Sequence, residues 1–216
     1  MDKLTAADGH TLEAYQKRPK GKPRGGIVIA QEIFGVNEHI KEVVDQYASL
    51  GFAAIAPAYF DRVERGITLP YDDLPRAREY VAKLTQEMIL ADTRAAMNAV
   101  ADAGPVAVIG YCWGGTVAYL AACHLPVAAG ISYYGTRILH NLDQIPQHPM
   151  LYHWAEFDRA LPLEDVERIK ATRPEGEHYV YEGAKHGFNC THRDVYDADA
   201  AELALERTSK FLARIC

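Results

Sequence analysis

The sequence predicts a single α/β domain with a mainly parallel central sheet, helices on both faces and no large cap. Three observations lead there. Strand and helix signals alternate along the 216 residues, the pattern that parallel strands joined by crossover helices leave in a chain. The apolar run Val106-Ala107-Val108-Ile109 leads straight into Gly110-Tyr111-Cys112-Trp113-Gly114 and then a helical run, Thr116 to Cys123. No repeat, low-complexity tract or linker interrupts the chain, so residues 1–216 are read as one domain, with an N-terminal hairpin region over 1–20.

The elements follow in order. Leu4 to Tyr15 carries Asp8-Gly9 between short alternating stretches and reads as a hairpin. Gly26 to Ala30 is a short buried strand. Asn37 is placed to cap a helix running to about Leu50, which Gly51 stops. Phe52 to Pro57 is the next strand, followed by a helix over about Ala91 to Ala103 and then the strand ending at Gly110. Val127 to Tyr134, Met150 to Trp154 and His178 to Tyr181 read as later strands, and a helix of about Val195 to Ala213 closes the pattern. The strand ends near Ala30, Gly110, Trp154 and Tyr181 should share one edge, where open α/β sheets carry their sites.

Composition excludes several functions. Apolar residues make up 49% and charged residues 24%, as in an ordinary globule. A net charge of −6 without a basic cluster argues against nucleic-acid binding. The longest apolar runs fall far short of the ~18 residues that span a bilayer, so no membrane association is expected. Met1 to Thr5 lack the apolar core of a secretory signal, and a cytoplasmic location is the expectation. Cys112, Cys123, Cys190 and Cys216 form no Cys-x-x-Cys pair and read as free thiols, Cys123 as a small core residue. His186, Cys190 and His192 have a loosely metal-like spacing, but no fourth ligand is apparent nearby, so no metal is expected.

Gly110-x-Cys112-x-Gly114 between a strand and a helix has the form of a nucleophile elbow with cysteine in the serine position. The sharp turn needs small neighbours two residues away, and it aims a helix N-terminus at the thiol, which favours thiolate and oxyanion. Later strand ends supply partners: Asp158 in Ala155-Glu156-Phe157-Asp158-Arg159-Ala160-Leu161-Pro162, and His186 in Gly183-Ala184-Lys185-His186-Gly187-Phe188. Nucleophile, acid, histidine is the α/β-hydrolase order. In that scheme His186 accepts the thiol proton and later activates water, while Asp158 orients the imidazole.

Plainer roles compete. Glu156 is the rival acid, although the Asp158-x-x-Leu161-Pro162 pattern favours Asp158. His153 inside a strand reads as a satisfied core residue, and His124, His140, His148 and His178 as surface residues. Tyr133-Tyr134 reads as strand-end packing, with pocket lining as an alternative. A non-catalytic domain that binds a ligand or partner in the same pocket is the competing function; an aligned base and acid favour the enzyme.

Gln31-Glu32-Ile33-Phe34-Gly35, Gly110-Tyr111-Cys112-Trp113-Gly114-Gly115, Asp158 to Pro162 and His186-Gly187-Phe188 resemble the dienelactone hydrolase (carboxymethylenebutenolidase-like) family of the α/β-hydrolase fold, over about Gly25 to Leu212. The resemblance implies hydrolysis of a small ester or lactone by Cys112, Asp158 and His186 through a thioester, without a cofactor. It implies an oxyanion hole from the N–H groups of Ile33 and Trp113, and a Glu32 beside Cys112 that makes the thiol nucleophilic when substrate arrives. Family members acting on dienelactone hold its carboxylate with two arginines. One of those positions is Cys190 here, with Arg193 three residues further on; the other is Arg76 or Arg78, Arg76 keeping the Arg-x-x-x-Tyr spacing to Tyr80. A monomer or small homo-oligomer is expected.

Overall fold

The computed structural model describes residues 1–215. Its sheet has eight strands: β1 (Asp2–Thr5), β2 (Thr11–Lys17), β3 (Gly26–Ala30), β4 (Ala53–Pro57), β5 (Val106–Tyr111), β6 (Ala129–Tyr133), β7 (Met150–Phe157) and β8 (Glu177–Lys185). Their spatial order is β1-β2-β4-β3-β5-β6-β7-β8. β1 and β2 are antiparallel, as the hairpin reading expects, and β3 to β8 pair in parallel. The helices are α1 (Glu38–Ser49), α2 (Leu74–Ala82), α3 (Gln86–Ala99), α4 (Trp113–His124), α5 (Leu163–Thr172) and α6 (Ala198–Leu212). No helix among the described residues is long and apolar enough to cross a membrane.

Successive side chains along a strand point to opposite faces, and here that divides the interior into two cores. Ile27, Ile29, Ala107, Ile109, Leu151 and Ala155 face α1 and α6, where Val44, Tyr47, Ala204 and Phe211 meet them. Val28, Val106, Val108, Tyr152 and Trp154 face α3, α4 and α5 through Met97, Ala118 and Ile169. The central strands are apolar on both faces because both faces are covered.

Local signals explain most element ends. Asn37 caps α1 by accepting the Ile40 N–H at 3.2 Å, and Gly51 follows the helix with φ +96°. α3 starts at Gln86 rather than near Ala91, since Thr85 accepts the Met88 N–H and caps an extra turn. α4 begins immediately after Cys112, three residues earlier than its apolar run suggests. β7 and β8 run on to Phe157 and Lys185, past an irregularity between Ala155 and Phe157. Helix α5 gives little signal in the sequence because only Val166 and Ile169 are buried on it.

The histidines depart in part from expectation. His178 is half-buried rather than a surface residue: its ring stacks on Tyr152 with centroids 4.4 Å apart, and the Trp154 indole N–H donates to its Nδ1 at 3.2 Å. His153 is a satisfied core histidine, bonded to Tyr181 and Thr208 at 2.7 and 2.9 Å and held neutral by burial, which lowers its pKa to about 3.

Candidate active site

The site grows from the end of β5. Cys112 adopts φ 56°, ψ −118°, a conformation L-residues rarely take and which costs roughly 1–3 kcal/mol. The fold holds it there by donation from the Cys112 N–H to Tyr133 O, and from the Gly115 N–H to Cys112 O, both at 2.9 Å. The glycines are sterically required. A Cβ on Gly110 would stand 1.7 Å from Gly114 O, and one on Gly114 2.2 Å from Ala30 O. Strand, turn and the loop after β3 are therefore pressed together without side chains between them. Cys112 occupies the N-cap position of α4 yet makes no side-chain cap bond. The first N–H groups of the helix, Trp113 foremost, have no acceptor within the helix, and their partial positive charge lies beside the sulfur.

Asp158 and His186 arrive on the loops after β7 and β8. Asp158 Oδ1 accepts the N–H groups of Ala160 and Leu161 at 2.7 and 3.1 Å, which fixes the carboxylate with Oδ2 turned to His186. His186 Nδ1–H donates to that Oδ2 at 2.7 Å. Burial opposes charge on the imidazole, but the Cys112 sulfur and the Asp158 carboxylate outweigh it and push the His186 pKa up to about 10. The rival acid is used elsewhere, since Glu156 accepts the Gly183 N–H at 2.8 Å. Tyr134, at the end of β6 with φ 42°, lays its ring edge-on to His186 with centroids 5.0 Å apart. It borders the site rather than merely packing a strand end, and only its backbone angle marks the difference.

The loop after β3 brings Glu32 and Ile33. Glu32 is fully buried and neither carboxylate oxygen has a hydrogen-bond partner. Burial raises its pKa, and the charges of Arg193 and His186 draw it partly back. Arg193 Nη1 stands 4.0 Å from Glu32 Oε1. It reaches that far by folding across Gly187, where a Cβ would lie 2.5 Å from the guanidinium. Its guanidinium carbon is 5.4 Å from the Tyr71 ring centroid and 6.0 Å from that of Phe34. The Tyr71 hydroxyl shares a hydrogen bond with Cys190 Sγ at 3.2 Å and accepts one from Asn37 Nδ2 at 3.1 Å. Burial and the charge of Glu32 push the Cys190 thiol up to about 11, so it is neutral at ordinary pH.

The α2 candidates lie outside this cluster. Arg76 is exposed and bonds to Tyr80 Oη at 3.2 Å and to Glu64, which also accepts from Tyr80. Arg78 is exposed, while Tyr80 is buried against Phe60. The His192 side chain pairs with Glu42 at 2.9 Å. Among the described residues no three His, Cys, Asp or Glu side chains are grouped to hold a metal ion. Tyr71 was not evident from sequence, because nothing in its neighbourhood marks a contact 119 residues away.

The chain is similar to known proteins along most of its length. A model of the dienelactone hydrolase family matches residues 12–216. A carboxymethylenebutenolidase of Pseudomonas putida is 36% identical over 224 residues, covering 97% of this chain and 94% of that protein. A solved structure of a predicted dienelactone hydrolase from Klebsiella pneumoniae subsp. pneumoniae superposes with a TM-score of 0.86 at 28% identity, covering 97% of each chain. A dienelactone hydrolase-like promiscuous phosphotriesterase from metagenomic libraries shares the fold, with a TM-score of 0.80 at 21% identity over 99% of this chain and 97% of that one. From a family match across most of its length, joined to the elbow and the strand-end loops above, the chain belongs to the dienelactone hydrolase family and is a hydrolase.

Proposed function

We propose that this hydrolase cleaves small carboxylic esters or lactones through a thioester on Cys112, and that its substrates carry a carboxylate. The single observation that carries the reading is the alignment of Asp158, His186 and the strained Cys112, with the imidazole hydrogen-bonded at 2.7 Å to the acid and its pKa raised by the sulfur. A raised imidazole pKa makes His186 a base able to take the Cys112 thiol proton when substrate binds, so that the sulfur attacks as thiolate. The thiolate attacks the substrate carbonyl. The oxyanion is held by the N–H groups of Trp113 and Ile33, a contribution of roughly 3–4 kcal/mol per donor in related chemistry. His186 then gives its proton to the leaving oxygen, and afterwards takes one from the water that cleaves the thioester.

Arg193 is the cation we assign to the substrate carboxylate, since it is the arginine next to Glu32, with only 22% of its side chain exposed. An anion arriving there draws Arg193 away from Glu32. Losing that attraction leaves burial less opposed and raises the proton affinity of the Glu32 carboxylate. Glu32 is then the better acceptor for any proton left on Cys112, so substrate binding and thiol activation are coupled. With Cys190 in place of a second arginine, the carboxylate is held by one guanidinium, and dienelactone is one substrate of the class rather than a privileged one.

The test is turnover of 4-nitrophenyl acetate and of dienelactone by the parent protein and by Cys112→Ala, with mass spectrometry of the parent during turnover. Loss of both activities in the variant and an acyl adduct on Cys112 are expected. Turnover that survives the substitution would overturn the mechanism.

A further inference from the structure

One cleft of the molecule is not lined by Cys112, Asp158 or His186. It measures about 400 Å³ and lies between the C-terminal end of α2, the start of α3, the outer face of α4 and the turn around residues 137–141. Its floor is apolar: Val81, Leu84, Ile89, Trp113 and Leu120. Its rim is of a different kind, with Arg137, His140 and Asn141 on one side and Gln86 on the other.

We propose that this cleft is a second ligand site, separate from the reacting centre, for small amphipathic carboxylates with an aryl or alkyl body. Its volume is in the range of cavities that hold small organic molecules. No aspartate or glutamate lines it, in a chain whose net charge is −6. Arg137 is exposed and has no carboxylate partner among the described residues, so its fork is free to take an anion. The geometry of its own turn is fixed without the guanidinium: the Arg137 N–H donates to Thr116 Oγ1 at 3.2 Å, and its carbonyl accepts from Asn141 Nδ2 at 2.8 Å. Gln86, the first residue of α3, stands at the far side of the rim, where the helix N-terminus is already met by Thr85 and the Glu87 carboxylate. A neutral apolar molecule would fill the floor but leave the cationic rim unused. A fully hydrophilic anion would leave the floor unused. An apolar carboxylate satisfies both.

The probe is 4-phenylbutyrate, with 4-phenylbutan-1-ol as its uncharged counterpart, titrated into the full-length protein while tryptophan emission is followed. Trp113 lines the cleft, whereas Trp154 is fully buried in the core, so a saturable emission change reports occupancy beside Trp113. Saturable binding of the carboxylate is expected, weakened about 1.5- to fivefold in Arg137→Gln, the range for an exposed ion pair. The alcohol should bind more weakly by a similar factor. Leu120→Phe, which fills the floor, should weaken both probes, with a thermal melt to verify folding. Arg193→Gln should leave binding unchanged. Absence of saturable binding, an unchanged affinity in Arg137→Gln, or weakening by Arg193→Gln instead would overturn the proposal, the last by moving the probe to the reacting centre. Because no step of the assay needs Cys112 chemistry, its outcome is independent of the proposed hydrolytic mechanism.

Discussion

Gly114→Ala tests the elbow more sharply than removal of the nucleophile. The added methyl would stand 2.2 Å from Ala30 O, 2.6 Å from Gln31 O and 2.7 Å from Ala30 C, all backbone atoms without a rotamer to yield. Ordinary contact requires a separation more than about 1 Å longer. Turn and loop must therefore part by roughly that distance, at a stability cost of about 1–3 kcal/mol. The loop that moves continues directly into Glu32 and Ile33, so the Ile33 N–H shifts relative to the Trp113 N–H. A misplacement of about 1 Å at a reacting centre costs roughly 10²-fold in rate, and complete loss of one oxyanion donor costs about 10²–10³-fold. The expected kcat for 4-nitrophenyl acetate accordingly falls about 10²- to 10³-fold, with a lowered melting temperature but a folded protein at 25 °C. Gly21→Ala is the control, as its Cβ meets nothing within 4 Å. A Gly114→Ala protein working within about threefold of the parent would refute the argument, since the two N–H groups could not then need the close approach that this glycine permits.

Two further predictions concern charge. His186 should titrate near 10 by NMR in the parent protein and distinctly lower in Cys112→Ala, where the sulfur charge that offsets burial is gone; an unchanged value would remove the thiolate from the scheme. The linkage sign follows from a pKa raised above its ordinary 6.5 to about 10: His186 stabilises the fold fully below pH 6.5, and that contribution is lost as the pH rises through 10. Away from the site, Arg62 binds Asp92 with paired bonds of 2.9 and 2.7 Å, and the two side chains are only 7% and 1% exposed. Asp92→Ala strands a buried guanidinium and should lower the urea unfolding free energy by about 3–5 kcal/mol, tempered by the second partner, Asp8; a loss below about 1 kcal/mol would mean water reaches Arg62.

Sequence alone determined the elements that rest on local spacing. The elbow was legible because a strained turn between strand and helix tolerates only small flanking residues, and Gly110 and Gly114 announce it within five positions. The hairpin at Asp8-Gly9, the Asn37 cap and the alternation of strand and helix were legible for the same reason: each is decided within one turn of chain. Asp158 and His186 could be proposed because the order of strand-end loops is itself a linear property, and the structure joins them at 2.7 Å. Tertiary structure decided what depends on approach between distant segments. It set Arg193 rather than Arg76 or Arg78 beside Glu32, by letting a side chain cross Gly187 where no Cβ stands. It paired Tyr71 with Cys190, turned Tyr134 onto His186 through a positive φ, and stacked His178 under Tyr152. An arginine's local sequence is the same whether its guanidinium meets solvent or a buried carboxyl; only the packing of the intervening chain fixes how far that side chain reaches and which charge it finds there.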